Sequence, residues 1–191
     1  GPNGLAAAIT LAKAGYSVAL YEAKDTVGGG MRTLEFTLPG FKHDVCSAIH
    51  PLGLASPFFR ELPLKQFGLD WIQPEIPVAH PLDDRAVLLE RSLEQTAQSL
   101  GVDRENYQHL FEGFINNSDK LVESFLAPLL RFPQHPLLMA RFGLYALRPC
   151  TMLTHQLFKT KEAKALFAGL AAHAILPLNA PATAAFGLVL G

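Results

Sequence analysis

The sequence predicts an α/β fold: part of a βαβ unit at the start, then a mixed and increasingly helical region. Three observations carry this. Residues 5–22 read in turn as helix, glycine stop, β-rich apolar run and acid. Three successive glycines follow within one loop. From Arg104 onward, apolar side chains recur at helical spacing.

The elements justify themselves in order. Residues 5–14 are a run of Ala, Leu and Ile closed by Gly15, a strong helix with a glycine stop. Residues 17–21 (SVALY) read as a short buried parallel strand ending at the acidic Glu22. This is the second half of a βαβ unit. Its first strand is expected just upstream of Gly1, and both ends of the chain read as cut. After the glycine loop, residues 32–38 alternate, Pro39-Gly40 signals a turn, and residues 41–45 resume in extended form, which makes a hairpin. A helix is predicted over 57–67, stopped by Gly68. Short strands are predicted at 69–72, 78–80 and 86–89, between proline and aspartate turns. Ser92, with Gln95 three residues on, looks like a capping box opening a helix to Leu100. Tyr107, Leu110, Phe111 and Phe114 keep 3–4 spacing, as do Leu121, Val122 and Phe125. Pro133, Pro136 and Pro149 break the pattern, and helices resume over 153–158 and 162–175. The domain boundary is placed at residue 68, dividing the chain into 1–68 and 69–191.

Composition narrows the function. Apolar residues make up 49% and charged ones 17%, a balance that folds rather than stays disordered. A net charge of -1 without a basic block gives nucleic acid no electrostatic foothold. Cys46 and Cys150 are the only cysteines and are far apart, which excludes a disulfide framework and a cysteine zinc site. A cytoplasmic location is expected, with peripheral membrane contact admitted. The long charge-free stretch over 165–191 is broken by His173, Pro177, Asn179 and Pro181, so it reads as two buried helices about a bend rather than a membrane span. His173 reads as a core histidine. There is no G-x-S-x-G, H-E-x-x-H or metal-ligand cluster, which suits chemistry supplied by a cofactor.

Gly1-Pro2-Asn3-Gly4 fits the tail of a G-x-G-x-x-G dinucleotide fingerprint. Gly1 would let the backbone approach a diphosphate, and Gly4 would let the helix pack closely on the strands. The helix start directs free N–H groups and positive dipole at that diphosphate. Glu22, about 20 residues past the fingerprint, stands where an acid accepts hydrogen bonds from a ribose. Gly28-Gly29-Gly30-Met31-Arg32 then supplies a second set of backbone amides for the same diphosphate, with Arg32 available for charge-assisted contacts. A single-loop NAD site does not need this second set.

Taken together, residues 1–51 resemble the N-terminal FAD module of phytoene-dehydrogenase-like flavoproteins, a family that includes carotenoid desaturases and pyridine nucleotide-disulfide oxidoreductase domain proteins. The resemblance rests on Glu22, Asp25, Gly28 and Gly29 as E-x-x-D-x-x-G-G, and on the Pro39-Gly40-Phe41 turn. It covers about the first third of the chain. It implies a truncated Rossmann-like FAD-binding domain followed by a mixed, mostly helical substrate region. It places FAD non-covalently, with Gly1, Asn3 and Gly4 at the diphosphate, Glu22 on the adenosine ribose and Lys24 near the adenosine. Gly29, Gly30 and Arg32 would line the diphosphate and the flavin approach. Arg32 stands one place later than in the usual G-G-R because of the extra glycine. Asp44, Ser47 and His50 lie in the segment that leads toward the flavin ring, His50 being the most interesting of the three.

The implied activity is FAD-dependent oxidation of an apolar small molecule by the intact parent. The catalytic residues and the oligomeric state stay open. Two other readings stand beside it: a flavin-free structural or interaction module, and an NAD-binding Rossmann domain.

Overall fold

The structure is a computed structural model that describes residues 1–128 and 132–191. It divides into two compact units, Gly1–Pro63 and Leu64–Gly191.

The first unit opens with α1 (Pro2–Lys13). Proline at its first position has no N–H to leave unpaired and a φ already suited to a helix. At the other end Gly15 takes φ 86°, its N–H bonds to the Ala12 carbonyl, and the Tyr16 N–H reaches back to Leu11. That pair of bonds is a Schellman motif, and only glycine enters its left-handed position without strain. The predicted helix and its stop are both present.

The SVALY strand is not. Residues 17–21 carry no regular secondary structure and are exposed throughout, Tyr21 at 94%. A parallel strand exists only by bonding to a neighbour. The sheets among the described residues are two antiparallel pairs, and neither includes this segment.

The predicted hairpin forms in reduced length. Strands β1 (Thr33–Leu34) and β2 (His43–Asp44) pair Thr33 with Asp44 and Leu34 with His43. The Phe41 N–H bonds to Leu38, and Gly40 takes φ 87°, the type II turn that a Pro-Gly pair dictates. A tight turn there would set Phe36 opposite His43. Instead the ladder starts two residues earlier, and Phe36 and His43 meet as stacked rings 6.5 Å apart. A two-residue offset keeps every side chain on its own face.

Short helices α2 (Pro51–Ala55) and α3 (Pro57–Arg60) close the unit, with the Ser56 hydroxyl capping α3 at the Phe59 N–H. The single helix predicted over 57–67 is split. Pro63 disfavours helical backbone at Leu62 and brings no N–H of its own. A separate 3-10 turn, Leu64–Phe67, follows it and ends at Gly68 with φ 87°. Ser56 is the one buried residue of the first unit.

The second unit holds the core. Residues 69–72, predicted as a strand, carry no regular structure. The other two strands are where expected: β3 (Val78–Pro81) and β4 (Ala86–Leu89) form an antiparallel hairpin in register Val78 to Leu89. The Ser92 hydroxyl accepts from the Gln95 N–H and opens α4 (Leu93–Ser99). Then come α5 (Arg104–Ile115), α6 (Ser118–Phe125), α7 (Pro136–Ala146), α8 (Cys150–Leu157), α9 (Lys161–Ala171) and α10 (Ala184–Leu190). Pro136 and Pro149, read in the sequence as breaks, stand at helix starts: α7 begins at Pro136, and α8 begins at Cys150 rather than at the expected 153.

Aromatic rings from α5, α9 and the end of α8 stack at the centre. Tyr107 and Phe111 lie 4.6 Å apart, and Phe167 sits 6.2 Å from Phe111 and 6.3 Å from Phe158. Burying each such ring contributes about 1.5–3 kcal/mol. The helical periodicity that predicted α5 therefore marks a core face.

One buried charge organises this interior. Asp103, fully buried before α5, accepts from the Lys159 N–H at 2.8 Å, the Thr160 N–H at 2.7 Å and the Thr160 hydroxyl at 2.6 Å. Thr160 in turn caps α9 at the Ala163 N–H. Burial works to raise the Asp103 carboxyl, but these hydrogen bonds overcome it and hold the group below its usual range. The 3-10 turn Ala172–Ala174 follows α9, and His173 within it is exposed, its ring nitrogen 3.1 Å from the Leu170 carbonyl. It is a turn residue, not a core one. Among the described residues no helix is long and apolar enough to cross a membrane, and no cluster of side chains could hold a metal.

Candidate dinucleotide site

The start of α1 and the triple-glycine bend come together. Gly28 takes φ 123° and Gly29 φ 59°, both in the left-handed region, and Gly29–Met31 turns as a short 3-10 helix. A Cβ on Gly29 would stand 2.8 Å from the Gly1 Cα and 3.3 Å from its nitrogen. No side chain fits there. The demand for glycine is one-sided: a Cβ on Gly1 would stand 3.9 Å from the Gly29 Cα, an ordinary contact, so the close approach requires glycine at position 29 and not at position 1.

The bend's carbonyls are all engaged from within. Gly28 accepts from the Met31 N–H, Gly29 from the Arg32 N–H, and Gly30 from the Ser47 N–H at 3.0 Å. The amides of Gly28, Gly29 and Gly30 meet no acceptor among the described residues. Those of Asn3 and Gly4 belong to the first turn of α1, where helix geometry provides none. Two sets of open donors thus flank one backbone contact, an arrangement suited to an anion. A group as wide as a diphosphate does not fit between backbones this close.

The other predicted residues are placed as follows. A Cβ on Gly4 would meet nothing within 4 Å, so its place on α1 shows no close-packing demand. Glu22 is exposed and turned onto its own loop, its carboxylate accepting the Lys24 N–H at 3.0 Å. Lys24 is exposed as well. Arg32 is half-buried, and its Nε donates to the Gly29 carbonyl at 2.9 Å. His50 precedes α2 and makes no capping bond with its side chain. His43 and Asp44 do not pair with each other: Thr37 contacts the His43 ring, and the Thr33 hydroxyl donates to Asp44, each at 2.8 Å.

Sequence reasoning missed the support beneath the bend. The Val45 N–H donates to the Arg32 carbonyl at 2.8 Å, and a Cβ on Gly30 would meet the Cys46 Cβ at 3.5 Å. The second arm of the hairpin thus carries the glycine bend. Only the true register reveals this, and the Pro39-Gly40 turn alone gives a register two residues off.

Residues 1–62 match the family model of the NAD(P)-binding Rossmann-like domain. Over those residues, about a third of the chain, the sequence is similar to a dinucleotide-binding domain of the kind oxidoreductases carry. No curated protein and no solved structure matches the chain.

Proposed function

We propose that the first unit binds FAD by its diphosphate and that the chain serves an FAD-dependent oxidoreductase of the phytoene-dehydrogenase-like type, acting on an apolar small molecule. The observation that carries the reading is the approach of Gly29 to Gly1, with amides in both segments that meet no acceptor among the described residues. A single-loop NAD site has no use for the second set. Asn3, Gly4, Gly29 and Gly30 would hold the diphosphate through backbone N–H groups. Glu22 would release the Lys24 amide to accept from the ribose, Lys24 would lie by the adenosine, and His50 would lie on the way to the flavin. FAD, when bound, supplies the redox chemistry, and the chain supplies position and electrostatics.

The test is uptake. The purified chain is titrated with FAD, NAD+ and NADP+, and its visible spectrum is read for flavin. FAD bound in preference to both nicotinamide dinucleotides supports the proposal. NAD+ or NADP+ bound in preference to FAD would replace it with the nicotinamide reading, which the NAD(P)-binding family match also accommodates. Binding of none would favour a flavin-free interaction module.

A further inference from the structure

We propose that Arg32 is a positioning residue, which sets the triple-glycine bend through the Gly29 carbonyl rather than by meeting the dinucleotide's charge. The inference rests on the dinucleotide reading above.

Its basis is a double grip. The Gly29 carbonyl accepts from the Arg32 backbone N–H at 3.4 Å and from the Arg32 Nε at 2.9 Å. The Arg32 Cγ lies 3.2 Å from where a Cβ on Gly28 would stand, so the aliphatic stem packs along the bend. Arg32 is anchored in turn, its own carbonyl taking the Val45 N–H. Arg32 therefore links the two, its backbone carbonyl held by the second arm of the hairpin and its guanidinium holding the glycine turn.

Glycine has the widest choice of backbone conformation, and three in a row hold no shape unaided. A bend that must present its amides outward needs its carbonyls tied back. Met31 ties Gly28, and Ser47 ties Gly30. The middle carbonyl has only the long bond to the Arg32 N–H besides the Nε bond. Fixing the bend before the ligand arrives removes an ordering cost from binding. Nε donates along a direction set by the planar guanidinium, which an ammonium does not reproduce.

The test uses the full chain with FAD as probe. Arg32→Ala should weaken FAD binding about tenfold, the scale of one charged hydrogen bond. Methylguanidinium added to that variant should restore affinity, while methylammonium, of equal charge, should not. Arg32→Lys, which keeps the charge but not the Nε, should bind no better than Arg32→Ala. In the ligand-free protein, the amide resonances of Gly28, Gly29 and Gly30 should move in both variants, with those of α8 and α9 unmoved as a check on folding. Equal rescue by the two cations, wild-type affinity in Arg32→Lys, or unmoved glycine resonances would each overturn the proposal. If the unaltered chain binds neither FAD nor NAD+, the dinucleotide reading fails, and the glycine resonances alone then decide for or against the positioning role.

Discussion

A side-chain carbon on Gly187 would stand 2.5 Å from the Phe167 ring. Helix α10 lies against α9 with nothing between them at that level, and Phe167, fully buried beside Phe111 and Phe158, cannot turn away. Gly187→Ala should therefore destabilise the second unit by about 1–3 kcal/mol through overpacking, although alanine is the better helix former. Gly143, on α7, has open space around its Cβ position. Gly143→Ala should go the other way, by about 0.5–1 kcal/mol. Denaturant midpoints of the two variants check the pair.

Gly29→Ala meets two obstacles at once, a left-handed φ and the Gly1 backbone. Dinucleotide affinity should fall by more than about tenfold while the second unit's unfolding stays in place. Because the clash is with the start of α1, an FAD site and an NAD site would suffer alike. This variant cannot tell the two cofactors apart, whereas direct titration of each can.

Asp103 couples stability to acid. Its carboxyl sits below the usual range when folded and returns to about 3.9 when unfolded. The carboxylate's contribution is thus complete above about pH 4–5 and drains away as pH falls toward the folded value. Asp103→Asn keeps one acceptor oxygen for three donors, and should lower stability at neutral pH by about 1–3 kcal/mol. It should also flatten the acid limb of a stability profile measured by urea unfolding.

Cys150 couples stability to base. Burial pushes its thiol up to about 11, whereas the unfolded chain ionises it near 8.5. Between those values the unfolded state binds fewer protons, so stability should fall as pH rises. Replacing Cys150 by Ala should remove that slope, and thiol reagents should reach Cys150 only on unfolding.

Ile175 adopts φ 53° while 91% exposed, a β-branched residue in the left-handed region with almost no burial in return. Ile175→Asn should raise the melting temperature, by a stabilisation of about 0.5–1 kcal/mol, since asparagine tolerates that conformation.

The parts of this fold legible in sequence are those settled by neighbours along the chain. Gly15 stops α1, Pro39-Gly40 makes its turn, Ser92 caps α4, and Pro136 and Pro149 interrupt the helical pattern. What was misread depends on distant partners. Residues 17–21 have the composition of a strand, and no strand among the described residues pairs with them. Asp103 looks like an ordinary helix start, because its donors come from Lys159 and Thr160, more than fifty residues away. At the candidate site, the glycines announced themselves by type. The Arg32 bond and the hairpin arm beneath the bend did not, since both follow from register.

Residues 17–21 place Val18, Leu20 and Tyr21 in water along a backbone that no sheet among the described residues engages. Unclaimed peptide groups beside β-branched and aromatic side chains are the raw material of cross-β seeding. Concentrated solutions of this chain should accordingly be sensitive to a charge introduced at Val18, and storage life would be governed by these five residues rather than by the aromatic centre of the second unit.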